Sequence, residues 1–154
     1  MIAVLQRVTR ARVTVARETV GEISRGLLIL AAVEKGDTLA EVERMAQRLL
    51  GYRVFPDRKD RMNLNVADIG GELLLVPQFT LAADTRKGNR PSFTPAADPD
   101  TGRQLFEQLV ATTRTRYSRV ASGRFGANMQ VSLTNDGPVT FTLRVSPSVD
   151  PSPN

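Results

Sequence analysis

The segment that most constrains the fold runs from residue 129 to 145, where two alternating stretches flank a turn-like sequence. Apolar and polar residues alternate in 129–133 and again in 139–145. Alternation with a period of two puts one face of a strand on a core and the other face outside. Between the stretches lies Asn-Asp-Gly-Pro, residues 135–138, whose types turn the backbone. The segment therefore predicts a β-hairpin.

The Gly137-Pro138 pair in this turn has two possible roles. Glycine leaves the backbone approachable, while proline fixes its own φ and has no N–H to donate. Such rigid main chain at a strand junction is either a plain hairpin turn or a wall that presents carbonyl groups to a pocket. The residues alone leave both open.

The rest of the chain reads as β-rich with two helices. A capping box is expected at Thr38 and Glu41, ahead of an apolar stripe that ends near Gly51. Asp98-Pro99 predicts the start of a second helix, because proline is favoured at the first helical position. Strands are predicted at 2–8, 12–15, 18–23, 27–33, 52–55, 62–66 and 72–76.

Length and composition limit the architecture. With 154 residues the chain is expected to form a single α+β domain over 1–146. Its sheet is predicted to be mostly antiparallel or mixed, closed into a barrel-like core with two main helices. Residues 147–154 are rich in proline and serine and are predicted to be disordered. No signal peptide or membrane span is expected, and the protein is predicted to be cytoplasmic.

The absence of two residue types limits the chemistry. The sequence has no cysteine and no histidine. This excludes thiol nucleophiles and histidine-dependent triads, and it makes a conventional zinc hydrolase site very unfavourable. An enzyme with this sequence must use carboxylates, hydroxyls, backbone dipoles or its own substrate. No metal or other cofactor is predicted.

Charge and two segments suggest a partner and a site. The net charge is +5, which suits a polyanion such as RNA. The loop at 84–91 contains three cations and is either a solvated surface loop or a phosphate contact. Arg114, Arg116 and Arg119 add to the basic surface. The Pro-Gln-Phe-Thr segment at 77–80 ends a buried strand, so it is either structural or part of a pocket.

Over nearly its whole length the chain resembles the D-aminoacyl-tRNA deacylases, the chiral-proofreading enzymes of translation. That family carries a Ser-Gln-Phe-Thr segment and, later, an Asn-x-Gly-Pro-Val-Thr segment. The second is intact at residues 135–140, whereas the first has Pro77 in place of the family serine. Further matching pieces follow in family order at 1–8, 33–35, 50–55, 62–66, 78–85, 90–93, 123–125 and 129–133.

The resemblance implies a homodimer with active sites at the subunit interface and D-aminoacyl-tRNA as substrate. In the family the Gly-Pro bond is cis, and this ledge from one subunit enters the pocket of the other. Its carbonyl groups recognise the α-amino group there and exclude L side chains. By match, Gly137 and Pro138 are the chiral filter, and Arg7 holds them in place.

The resemblance also assigns the catalytic segment. Gln78, Phe79 and Thr80 line the pocket, with the N–H groups of Phe79 and Thr80 meeting the aminoacyl carbonyl, and Phe125 and Met129 bind substrate. The implied mechanism uses the terminal ribose 2′-OH of the tRNA, which is consistent with a chain that lacks histidine and cysteine. Glycine has no side chain to reject, so glycyl-tRNA mischarged on tRNA(Ala) is expected as a second substrate.

Two other functions compete with this one. The chain is alternatively a tRNA-binding or synthetase-associated editing module of the same fold without catalysis, which Pro77 would signal. A weaker alternative is a small-molecule hydrolase that uses carboxylates. The basic segments favour the two RNA-related functions.

Overall fold

A computed structural model of the chain describes residues 1–148. The predicted tail at 147–154 therefore lies mostly outside the described residues. Eight strands, two α-helices and one short 3₁₀ helix are present in the described part. In chain order they are β1 Ile2–Val15, β2 Glu18–Ile23, β3 Gly26–Ala32, α1 Leu39–Gly51, β4 Phe55–Pro56, β5 Met62–Leu64, β6 Glu72–Pro77, the 3₁₀ helix Phe79–Ala82, α2 Pro99–Arg116, β7 Val120–Ser122 and β8 Met129–Arg144.

The main sheet is mixed and nearly closes into a barrel. Its order is β2-β1-β3-β6-β7, with β8 also paired to β1. The β1 pairings are antiparallel, whereas β3–β6 and β6–β7 are parallel. The edge strand β2 comes close to β7, because a Cβ at Gly21 would lie 2.8 Å from the Ser122 carbonyl oxygen. The predicted α+β class, mixed barrel-like sheet and two helices are confirmed.

Two apolar cores lie on opposite faces of the central strands. Leu27, Ile29, Leu73 and Leu75 contribute to a core shared with the two helices. The alternate residues of the same strands, such as Leu28, belong to a second core inside the barrel. Both faces of β3 and β6 are buried, which explains why these strands are continuously apolar in sequence.

The helix ends follow the sequence signals. Thr38 accepts a hydrogen bond from the Ala40 N–H, and the Glu41 carboxylate accepts one from the Thr38 N–H at 2.8 Å. Asp98 caps α2, whose first residue is Pro99. The predicted Gly51 stop lies at the last residue of α1, with Tyr52 as the C-cap. Both predicted helices are therefore confirmed.

The predicted hairpin around residues 135–138 is wrong. Strand β8 does not fold back on itself but runs antiparallel along all of β1, from Ile2 opposite Arg144 to Val15 opposite Met129. The register shifts near Arg7, where Gln6 pairs with Thr140 and Val8 with Asn135. Residues 136–139 therefore form a bulge opposite Arg7 within one long strand. The two predicted segments at 2–8 and 12–15 are likewise one strand.

Candidate functional site

The main pocket opens where two parallel strands end. It has a volume of about 480 Å³, within the range of about 300–1,000 Å³ that is usual for small-molecule sites. The carboxyl ends of β3 and β6 form one side, and the start of α2 and the loop before β8 form the other. The lining residues are Ala31, Ala32, Val33, Val76, Pro77, Gln78, Phe79, Ala97, Asp98, Pro99, Gly102, Phe106, Phe125, Gly126, Ala127, Met129 and Val131.

The pocket brings together four of the predicted site residues. Gln78 and Phe79 come from the end of β6, and Phe125 and Met129 come from the loop and strand opposite. Thr80 follows Phe79 in the 3₁₀ helix and is exposed next to the pocket rather than lining it. The remaining predicted residues, Arg7 and the Gly-Pro pair, lie elsewhere on the chain.

Two glycines allow the aromatic and thioether walls to approach. A Cβ on Gly102 of α2 would lie 3.4 Å from Phe125 Cζ, and one on Gly123 would lie 2.9 Å from Met129 Sδ. Phe125 also packs against Phe106, with ring centroids 6.4 Å apart. A glycine in the first turns of a predicted helix was the sequence signal that could have pointed to this close contact.

Pro77 fits the end of its strand without losing a hydrogen bond. The Gln78 N–H donates to Ala31 on the β3 side, whereas the Leu73 N–H donates to Arg119 on the β7 side. By alternation the nitrogen of residue 77 faces the β7 side, but β7 pairs only as far as Leu75. Proline is therefore placed where the ladder has already ended.

Polar groups of main chain and side chain meet at the mouth of the pocket. In the described part of the chain, the N–H groups of Phe79 and Thr80 donate to no protein acceptor. They open a helical turn, where such unpaired donors are usual. The Gln78 side-chain amide donates to the Thr80 hydroxyl at 2.5 Å. This edge of the pocket can therefore stabilise a negatively charged oxygen with main-chain donors.

One ionisable side chain, that of Asp98, lines the pocket within residues 1–148. Hydrogen bonds from the Thr101 backbone and hydroxyl lower the pKa of Asp98 below its ordinary value. A carboxylate with a lowered pKa is a weak base near neutral pH. Asp98 caps α2 and is poorly suited to remove a proton from water.

The Gly137–Pro138 bulge is held by Arg7 and Asn135. The peptide bond between Gly137 and Pro138 is cis, and both residues are exposed. The Arg7 guanidinium donates to the Asp136 carbonyl at 3.1 Å and to the Val54 carbonyl at 2.7 Å. At the base of the bulge, the Asn135 side-chain oxygen accepts from the Val139 N–H at 2.8 Å.

This bulge lies at the opposite end of the barrel from the pocket of the same chain. Arg7 pairs with Leu27 at the start of β3, whereas the pocket begins at Ala31. Four residues of strand separate the two by about 13 Å along the sheet. Within one chain, Gly137 and Pro138 do not line the pocket.

The basic loop at 84–91 and the basic segment at 114–119 lie in different places, and their cations have different ion-pair partners. Arg86 forms a bidentate ion pair with Asp84, and its hydrogen bonds lower the pKa of Asp84 to about 2. Arg116 pairs with Glu43, and Arg119 pairs with Glu72 at 3.2 Å. Because Glu72 starts β6, Arg119 lies at the end of that strand remote from the pocket.

No cluster of three or more acidic side chains suited to a metal ion occurs within residues 1–148. In the same range, neither helix is long and apolar enough to cross a lipid bilayer. Several lining residues, among them Ala31, Ala32 and Ala127, were not predicted from the sequence. Their types carry no chemical signal, and only the fold brings them together.

A family model and two relatives with similar sequences carry tRNA deacylase names. The family model described as D-Tyr-tRNA(Tyr) deacylase matches residues 4–144. The D-aminoacyl-tRNA deacylase of Methylococcus capsulatus is 65% identical over 151 residues, covering 98% of this chain and 99% of the relative. That of Nitrosococcus oceani is 62% identical over 149 residues, covering 97% of this chain and 96% of the relative.

Solved structures agree on the fold. A structure titled c-Myc DNA Unwinding Element Binding Protein is 40% identical with a TM-score of 0.91, covering 96% of this chain and 100% of that one. A structure titled as that of a probable eukaryotic D-amino acid tRNA deacylase is 18% identical with a TM-score of 0.78, covering 92% of this chain and 97% of that one. At 18% identity this second likeness concerns the fold alone.

Proposed function

The chain belongs to the D-Tyr-tRNA(Tyr) deacylase family, and on that premise we propose that it hydrolyses the ester bond of D-aminoacyl-tRNA. The products are the free D-amino acid and the tRNA, so the enzyme acts in chiral proofreading. The match of the family model across residues 4–144 carries this proposal. A pocket of aminoacyl size with unpaired main-chain donors at its mouth supports it.

The reaction proceeds without a side-chain base. Water adds to the aminoacyl carbonyl carbon, and the carbonyl oxygen, now negative, accepts hydrogen bonds from the N–H groups of Phe79 and Thr80. The carbonyl then re-forms as the bond to the ribose 3′-oxygen breaks, and that oxygen leaves with the proton that the attacking water gives up. The adjacent 2′-OH of the tRNA orients the water, since Asp98 is committed to capping α2.

The chiral filter is supplied by a second subunit. Gly137 and Pro138 are exposed on a bulge about 13 Å from the pocket of their own chain along the sheet. Within one chain they cannot contact a substrate held there. In a homodimer they enter the partner's pocket, bind the α-amino group through main-chain carbonyls and exclude L side chains.

The outer strand offers a surface for such a dimer. Strand β8 pairs with β1 on one edge, and its exposed residues include Leu133 and Phe141, which are 37% and 38% exposed. An open edge with exposed apolar side chains is usually covered. Here a second copy covers it and carries the Gly-Pro bulge across.

The proposed filter implies a second substrate, and the proposed substrate implies a location. Glycine presents no side chain to exclude, so glycyl-tRNA mischarged on tRNA(Ala) is also a substrate. Because aminoacyl-tRNA is used in translation, the enzyme acts in the cytoplasm and binds tRNA through its basic surface.

Release of D-tyrosine and L-tyrosine from charged tRNA tests the proposed activity. We expect the wild-type protein to hydrolyse the D-ester and to leave the L-ester at its spontaneous rate. Hydrolysis of neither ester, with the tRNA still bound, would instead identify a binding module of the same fold. Equal hydrolysis of both would contradict the chiral filter.

A further inference from the structure

An exposed pair of aromatic rings lies beside the pocket and has no role in the mechanism above. Phe79 and Phe93 are 56% and 43% exposed, and their ring centroids are 5.2 Å apart. Exposed apolar side chains that contact one another, unlike singly scattered ones, often mark a binding site. Phe79 also lines the pocket, so the pair, here called the aromatic platform, adjoins the pocket.

The loop that ends at the platform is closed and basic. Asp84 and Ser92 exchange two main-chain hydrogen bonds, at 2.7 and 3.0 Å, which join the two ends of the loop. The Asp84–Arg86 ion pair fixes its first residues. Lys87 and Arg90 lie between these ends, are exposed, and form no ion pair within residues 1–148. The loop therefore carries two exposed cations in the segment that leads directly to Phe93.

Exposed rings beside cations are the elements that bind single-stranded nucleic acid. Bases stack on aromatic rings whatever their sequence, and lysine or arginine contacts the phosphates. If the ester of the last nucleotide lies in the pocket, the nucleotides before it must leave along the rim. The platform and its loop form that rim on the Phe79 side.

We propose that the aromatic platform, with Lys87 and Arg90, binds the unpaired nucleotides that precede the esterified 3′ nucleotide of the tRNA. A base stacks on Phe93 and Phe79, and the phosphates lie against the two cations. This inference rests on the proposed function. It adds a binding site for RNA that the ester chemistry itself does not require.

Two substrates with the same reacting ester separate this site from the pocket. One is D-tyrosyl-tRNA, and the other is D-tyrosine esterified to adenosine alone, which lacks the preceding nucleotides. For Phe93→Ala we expect kcat/KM on the tRNA to fall roughly tenfold, as for loss of one stacked base. Activity on the adenosine ester is expected to stay unchanged, and Phe93→Tyr is expected to restore the tRNA activity.

The cations are tested by salt dependence. Replacing Lys87 and Arg90 together by alanine is expected to lower kcat/KM on the tRNA. It is also expected to reduce the slope of log kcat/KM against log salt concentration by the equivalent of about two phosphate contacts. Arg58 and Lys59 replaced together by alanine are the matched control, because both are exposed in the loop between β4 and β5 and neither lines the pocket. Leu39→Ala, at a side chain that is 59% exposed on α1, is the control for Phe93→Ala.

Three results would overturn the inference. The first is an equal loss of kcat/KM by Phe93→Ala on both substrates, and the second is no loss on either. The third is that Phe93→Ala converts a dimer to a monomer in sedimentation, which would mean that a second copy covers the platform. If the wild type hydrolyses neither ester, the proposed function fails on its own. Binding of a short single-stranded RNA ending in cytidine-cytidine-adenosine then decides, with weaker binding by Phe93→Ala expected and equal binding contradicting the platform.

Discussion

Thr80 has two polar groups near the pocket, its main-chain N–H and its hydroxyl, and only the N–H has a role in the proposed mechanism. Its main-chain N–H faces no protein acceptor in the described residues, whereas its hydroxyl accepts a hydrogen bond from Gln78. A hydroxyl bound to a neutral amide is not activated as a nucleophile, since no base is next to it. We therefore propose that the backbone N–H, not the hydroxyl, is the catalytic group at this position.

Thr80→Ala is accordingly expected to keep most of its activity. The substitution removes the hydroxyl and leaves the N–H, so kcat should fall far less than the roughly 10²–10³-fold that follows loss of an oxyanion donor. A tRNA ending in 2′-deoxyadenosine is the matched comparison. With it the wild type should lose kcat by a much larger factor in a single-turnover assay. The opposite ranking of these two losses would assign catalysis to the Thr80 hydroxyl.

Pro77 stands where the resemblance places a serine, and at this position proline removes no main-chain hydrogen bond of the sheet. Its nitrogen faces a side of β6 where the ladder with β7 has ended. Pro77→Ser should leave kcat/KM within the same order of magnitude. It should lower the free energy of unfolding by about 0.4–1 kcal/mol, because serine gives the unfolded chain more conformational entropy than proline does. A rise in activity by orders of magnitude would show that an N–H or hydroxyl is required there.

At the scale of elements, the capping box of α1 gives a pH-dependent contribution to stability. Burial raises the pKa of Glu41, but hydrogen bonds from the Thr38 hydroxyl and backbone and from Arg44 outweigh it and lower the pKa. The ionised form is thus favoured by folding. Its contribution is fully present above the ordinary value of 4.5 and is lost as the pH falls through the lowered folded value.

Glu41→Gln is expected to lower the unfolding free energy by about 1 kcal/mol at pH 7, because glutamine keeps an oxygen for the Thr38 N–H but loses the negative charge that strengthens this bond and the pair with Arg44. The difference in unfolding free energy between wild type and variant should become smaller as the pH falls below 4.5. Denaturant unfolding at several pH values measures this. Glu43→Gln on the same helix is the control, since Glu43 is exposed and its pair with Arg116 contributes little. A gap that widens on acidification would contradict the assigned ionisation.

How much of the fold the sequence predicts depends on whether the signal is local. Both helices followed from caps and apolar stripes, and β3 and β6 followed from continuous apolar runs. The alternation of 129–133 and 139–145 correctly indicated strand, but alternation carries no information about the pairing partner. Both halves of β8 pair with the long strand β1, so the turn residues became a bulge.

The candidate site shows the same limit. The motif at 77–80 and the Gly-Pro pair were singled out by their distinctive residue types, and the resemblance then assigned their roles. Small residues such as Ala31 and Ala127 became visible as lining only in the folded chain. The separation between Gly137 and the pocket likewise required the register of β1 against β3.

At the scale of the whole molecule, the proposed chiral filter requires two subunits for one complete site. The pocket lies at the carboxyl ends of β3 and β6, and the Gly-Pro bulge lies opposite the start of β3. In the proposed mechanism the chiral filter therefore acts between chains. Two different variants combined in one dimer can test this directly.

The decisive measurement is the D-over-L hydrolysis ratio of a heterodimer. One subunit carries Ala127→Trp, which fills its pocket, and the other carries Gly137→Ala. At φ +131 the added Cβ would meet the Val139 side chain at 2.6 Å and displace the bulge. The first homodimer should be inactive, and the second should lose its preference for the D-ester.

We predict that the purified heterodimer recovers D-selective hydrolysis at up to half the wild-type rate, because its one open pocket receives an intact Gly-Pro bulge from the other subunit. If the heterodimer shows only the low selectivity of the Gly137→Ala homodimer, the filter acts within one chain and the central claim is wrong.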